Sequence, residues 1–118
     1  SKVFKGSMVV YSNKAKIKLL GVNNSTIDSY GAVSKEVARE MAYKVRKIFS
    51  TDYGLSVTGV AGPGGGTENK PVGLVYIGLS NENKTEVRRF NFSSDRKKNK
   101  LKTSQVALDW LRLILIDE

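Results

Sequence analysis

The sequence predicts an α/β fold around one sheet, a three-layer-like domain with a mixed sheet flanked by helices. Two observations predict it. Runs of β-favouring residues alternate along the chain with stretches of helical periodicity. A glycine- and proline-rich segment joins two of the strand-like runs. The length of 118 residues suffices for one small core and not for two, so residues 1–118 are read as a single domain.

Ser7 to Ser12 reads as the first strand, because Met8, Val9, Val10 and Tyr11 are apolar or β-favouring. Asn13 is a plausible N-cap for a short helix, Lys14 to Leu20, which Gly21 ends. Ile17 and Leu20 point inward from it, while Lys14 and Lys18 share another face. Asn24 or Ser25 starts a further helical turn through Tyr30, stopped by Gly31. Ser34 caps the next helix, with Glu36 near its positive end. Val37, Met41, Val45, Ile48 and Phe49 recur at helical spacing and form its core stripe. Lys35, Arg39, Arg46 and Lys47 occupy the opposite face.

Tyr53 to Val60 is a strand that enters the glycine loop, and Val72 to Leu79 is the strand that leaves it. Asn81 to Asn83 makes a turn into a strand from Thr85 to Phe92. Ser94 or Asp95 caps a last helix that runs to about Ile116. The C-terminal half of that helix is apolar on most sides, which predicts burial between the sheet and a neighbour.

Composition excludes several chemistries. With 40% hydrophobic and 26% charged residues this is an ordinary globular composition. The stretch from Trp110 to Ile116 is too short to cross a membrane and is interrupted by Arg112, and no signal-peptide pattern is visible. There is no cysteine and no histidine, so disulfides, thiol chemistry and the usual general base are missing, and no metal site is expected. Acid–base work falls to Asp, Glu, Lys or Tyr. The net charge of +9 attracts anions. The densest basic run is Arg96, Lys97, Lys98, Lys100 and Lys102. With little aromatic interleaving, it reads as a solvated helix start in preference to a nucleic-acid surface.

The loop from Val57 to Gly73 holds both prolines and six of the eleven glycines. Ordering so much glycine costs backbone entropy. Such a loop suits close approach of the backbone to phosphate or carbonyl oxygens; the plainer reading is a mobile connection between strands. The two common nucleotide motifs fail. After Gly59 and Gly64 comes Gly65 where a P-loop needs lysine, and Thr67 stands where the Rossmann pattern needs its third glycine. A β-branched run follows, not a helix.

The string Thr58-Gly59-Val60-Ala61-Gly62-Pro63-Gly64-Gly65-Gly66-Thr67, with Lys70-Pro71-Val72-Gly73, resembles the signature of the CinA C-terminal domain family of nicotinamide-nucleotide amidases. Three more stretches match in order: Val10 to Lys16 with Leu20-Gly21-Val22, Tyr30 to Ser34 with Val37-Ala38, and Phe92 to Arg96. The resemblance implies hydrolysis of the carboxamide of nicotinamide mononucleotide to nicotinic acid mononucleotide and ammonia. It implies a Ser-Lys mechanism with no metal and no cofactor, in a cytoplasmic protein that forms a homodimer or higher homo-oligomer. Carried over by motif, Lys16 is the general base. Desolvation and the neighbouring Lys14 and Lys18 push a lysine pKa in the direction a base needs. Arg96 matches a substrate-contacting arginine suited to the 5′-phosphate. Thr58 matches a substrate contact through its hydroxyl. Tyr11 can stack on the nicotinamide ring. Backbone N–H groups around Gly64 and Gly65 can serve phosphate or an oxyanion.

One departure stands out. The family nucleophile lies in an Ala-Glu-Ser-Cys-Thr-Gly-Gly segment that these residues do not contain. The match opens at Ser1 to Phe4, downstream of it, and the first residue is not methionine. The chain is therefore read as N-terminally incomplete, lacking the family's first strand and helix, inactive alone and left with an uncovered apolar edge. Ser7 and Ser12 are replacements by residue type only. The alternative readings are a non-catalytic nucleotide-binding or interaction domain and, more weakly, a basic nucleic-acid-associated protein.

Overall fold

The computed structural model describes residues 3–117. Ser1 and Lys2, where the family match opens, lie outside them. Seven elements follow in order: α1 (Asn13–Lys18), α2 (Asn24–Tyr30), α3 (Lys35–Phe49), β1 (Gly54–Gly59), β2 (Leu74–Ser80), β3 (Thr85–Asn91) and α4 (Arg96–Asp117).

The sheet has the order β1-β2-β3, with β1 and β3 at its edges. Leu55 faces Leu79 across the first ladder, and Val75 faces Phe90 across the second. Strand periodicity sends alternate residues of β2 to opposite layers. Val75, Ile77 and Leu79 pack with Ala107 and Trp110 of α4. On the other face Ser56 Oγ donates to the Ala38 carbonyl of α3 at 2.7 Å. Glycine permits that closeness. A Cβ on Gly78 would lie 2.6 Å from the Ala38 oxygen, and one on Gly54 would lie 2.2 Å from the Ala42 oxygen. Helix, sheet and helix thus make three layers. A second core joins Val10, Leu20, Val22, Ile27, Val37 and Met41, which locks α1 and α2 against α3.

The α/β class and the flanking helices match the sequence reading, but the ladder differs. Both strand pairs among the described residues are antiparallel, whereas the sequence reading expects a mixed sheet. The expected strand from Ser7 to Ser12 does not form. Its alternation survives, with Val10 buried and Val9 and Tyr11 exposed at 90% and 88%. A strand needs a partner for its N–H and C=O groups, and among the described residues none lies beside this segment.

Three smaller points correct the sequence reading. Ser12, not Asn13, caps α1, accepting from the Ala15 N–H at 3.0 Å. Ile48 turns half outward, and Ala38 and Ala42 form the fully buried face of α3 instead. The apolar C-terminal half of α4 is only partly covered: Leu108, Leu113, Leu115 and Ile116 are exposed.

Candidate functional site

Lys16 is the one buried lysine among the described residues, with 6% of its surface accessible. Helix α1 places it one turn beyond the Ser12 cap, and Leu20 and Val22 anchor the following turn in the core. Its Nζ donates to the Val10 carbonyl at 2.8 Å and to the Tyr11 carbonyl at 3.2 Å. Burial pushes its pKa below the ordinary 10.5 by disfavouring the ammonium. A neutral amine has two N–H bonds and one lone pair. In that neutral form, with both N–H bonds directed at carbonyls, the lone pair is left to take a proton.

Tyr11 contributes its carbonyl to this arrangement, while its side chain is open to solvent.

The glycine loop is closed at its neck by strand hydrogen bonds. The Val60 N–H reaches the Leu74 carbonyl, and the Gly73 N–H reaches the Val60 carbonyl. Gly62, Gly65 and Gly73 take φ of 90°, 89° and 94°, which side chains resist. Beyond the neck, residues 63–69 are exposed. The N–H groups of Gly64, Gly65 and Gly66 have no protein acceptor among the described residues. A Cβ on Gly64 would meet nothing within 4 Å.

The first turn of α4 fixes the loop's entry. Asp95 caps that helix, accepting from the Lys98 N–H at 2.9 Å. Arg96 Nη1 donates to the Gly62 carbonyl at 2.9 Å, and Arg96 lines an open cavity of about 310 Å³ with Lys97 and Lys100. Sequence reasoning missed Asn99, which is 1% exposed. Its Nδ2 donates to the Ala61 and Ser94 carbonyls, and its Oδ1 accepts from the Ser94 N–H. The available signal was a polar residue in register with Thr103 and Ala107 on the buried face of α4.

Thr58 lies near the end of β1 with its hydroxyl donated to the Ala32 carbonyl at 2.7 Å. The hydroxyl therefore holds segment 30–34 against the sheet, and only its lone pairs remain for a ligand. Lys70, which the sequence reading places in the family signature without a site role, braces the same segment from the loop. Its Nζ donates to the Tyr30 carbonyl, and its backbone pairs with Thr67.

Of the sequence-derived candidates, Tyr11 and Lys16 are joined through the Tyr11 carbonyl, and Arg96 is tied to the glycine loop at Gly62. Thr58 is bonded instead to Ala32, and no hydrogen bond among the described residues joins Thr58, Gly64 or Gly65 to another candidate. No group of three or more acidic residues is placed to hold a metal, and no helix is long and apolar enough to cross a membrane, among the described residues.

The sequence is similar to a CinA-like protein of Endomicrobium trichonymphae, at 56% identity over 113 residues, covering 96% of this chain and 26% of that protein. It is 54% identical over 112 residues to a Clostridium perfringens protein named for competence-damage induction, of which it covers 27%. The chain therefore spans about a quarter of the length of these relatives. The fold is similar to the crystal structure of a competence or damage-inducible protein from Enterobacter asburiae (TM-score 0.86, 33% identity, covering 92% of this chain and 68% of that one). It is likewise similar to a CinA superfamily protein from Escherichia coli (TM-score 0.85, 28% identity, 89% of this chain and 61% of that one). Residues 1–115 match the model of the CinA C-terminal domain, and the chain belongs to that family.

Proposed function

We propose that this chain supplies the base and the substrate-binding walls of an amidase acting on nicotinamide mononucleotide. The observation that carries the reading is Lys16, a buried lysine whose N–H groups are taken by two carbonyls. Such an amine is a base held in one orientation. A serine hydroxyl from the family's nucleophile segment, which this chain does not include, attacks the carboxamide carbon as its proton passes to Lys16 Nζ. The carbonyl oxygen becomes an oxyanion, for which the free N–H groups of Gly64 and Gly65 are donors. Collapse breaks the C–N bond, and Lys16 returns the proton to the departing ammonia. Water then releases nicotinic acid mononucleotide from the acyl-serine by the same proton relay in reverse.

Arg96 keeps N–H groups beyond the one on Gly62, and these suit the 5′-phosphate. The exposed Tyr11 ring offers a face for the cationic pyridinium. Thr58 shapes the wall through Ala32.

The test uses two proteins, this chain and the same chain joined to the nucleophile-bearing segment of a relative. We expect the chain to bind nicotinamide mononucleotide without releasing ammonia, and the joined protein to release it. Lys16→Ala in the joined protein should abolish release while leaving the circular dichroism spectrum unchanged. Unaltered turnover in that variant would sink the base assignment, and failure of the joined protein to bind or turn over the nucleotide would sink the function.

A further inference from the structure

We propose that the cleft between the N-terminal turn of α3 and the β2–β3 surface is a second anion site, shaped for a ligand of the nucleoside monophosphate class. The cleft measures about 400 Å³, within the range of small-molecule sites. It contains none of Tyr11, Lys16, Thr58, Gly64, Gly65 and Arg96, and it meets the wall described above only at Lys70 and segment 30–34. Lys35, Lys70 and Arg89 line it against a single acid, Glu36. The Lys35 ammonium and the Arg89 guanidinium have no hydrogen-bond or ion-pair partner among the described residues, although both border the same space. Both side chains are exposed and solvated, so their donors are open to a ligand, and two cations bordering one cleft suit a phosphate, which arginine grips through two N–H bonds. The positive end of the 15-residue helix α3 adds to the attraction.

Tyr30 and Tyr76 supply the other half of the recognition. Both line the cleft, and neither hydroxyl has a protein partner among the described residues. An aromatic ring beside a cationic phosphate grip fits a base attached to a sugar phosphate.

The site also adjoins the candidate amidase wall. Register places Thr58, Tyr76 and Arg89 in one row across the three strands. Thr58 holds Ala32, and Lys70 holds Tyr30, so segment 30–34 stands between the two sites.

Calorimetric titration of this chain with uridine 5′-monophosphate and, separately, inorganic phosphate tests the proposal without reference to amidase activity. We expect one site for the nucleotide, with weaker binding of phosphate. Arg89→Ala and Lys35→Ala, both exposed positions, should each weaken nucleotide binding about tenfold, the equivalent of one charge-assisted hydrogen bond. Lys16→Ala and Arg96→Ala should leave it unchanged. Equal affinity for the two probes would overturn the role of the rings. Loss of binding in Arg96→Ala, or none lost in Arg89→Ala and Lys35→Ala, would overturn the second site.

Discussion

At the scale of single residues, Lys16 sets a trade between stability and chemistry. Its pKa in the fold lies below 10.5, the value it regains on unfolding. Between those two values the unfolded chain binds more protons than the folded one, so folding stability is lost as pH falls through the window. Lys16→Met keeps much of the stem and removes the titration. We expect its denaturant midpoint to equal or exceed that of the wild type at pH 7, with the gap closing as pH rises towards 10.5. A wild-type advantage throughout would mean that the bonds to Val10 and Tyr11 outweigh the cost of burial. Sequence could single out this lysine among fourteen only through the surrounding motif, because burial has no signature in a residue's own identity. Asn99 was hidden for the opposite reason: it sits inside the basic run from Arg96 to Lys102, whose other members face solvent. Thr58 was legible as a position but not in its partner, since a hydroxyl's choice between ligand and backbone depends on where Ala32 falls.

At the scale of elements, the spacing between α3 and the sheet depends on two missing side chains. Gly78→Ala forces its new methyl against the Ala38 carbonyl and the Ala42 side chain. Overpacking of this kind costs about 1–3 kcal/mol. Gly64→Ala adds a methyl in open space and should change stability by less than about 0.5 kcal/mol. Urea denaturation of the two variants checks both figures; equal effects would place the tight contact elsewhere. Capping and periodicity made the helices readable, as at Ser34, whose hydroxyl accepts from the Val37 N–H. The loop neck was readable because β1 and β2 flank it directly. The segment from Ser7 to Ser12 carries a strand's alternation without a strand's ladder, since alternation reports which side is buried and not whether a neighbour exists. The same limit applies to α4. Its leucines announced an apolar helix, but only packing distinguishes the buried Ala107 and Trp110 from the exposed Leu108 and Leu115.

At the scale of the whole molecule, stability is unevenly distributed. Strand β2 is paired on both sides and, apart from Tyr76, buried along its length. Residues 63–69 are exposed and lie beyond the last ladder bond of the neck. Native-state hydrogen exchange should therefore be slowest in β2 and fastest at Gly64 to Gly66. Protection in that loop equal to the strand's would show that it is packed rather than open. The α/β layering was legible from the alternation of strand and helix patterns, whereas the purely antiparallel sheet was not, because strand direction follows from connections that composition leaves open. The two carbonyls that hold the Lys16 amine belong to Val10 and Tyr11, in the segment that has no sheet neighbour among the described residues. The alignment of the amine and the order of that segment are consequently a single thermodynamic variable. A strand docking along the free backbone would restrict the amine's rotation without touching it, so the proton acceptor can be tuned by a hydrogen-bond ladder several residues away.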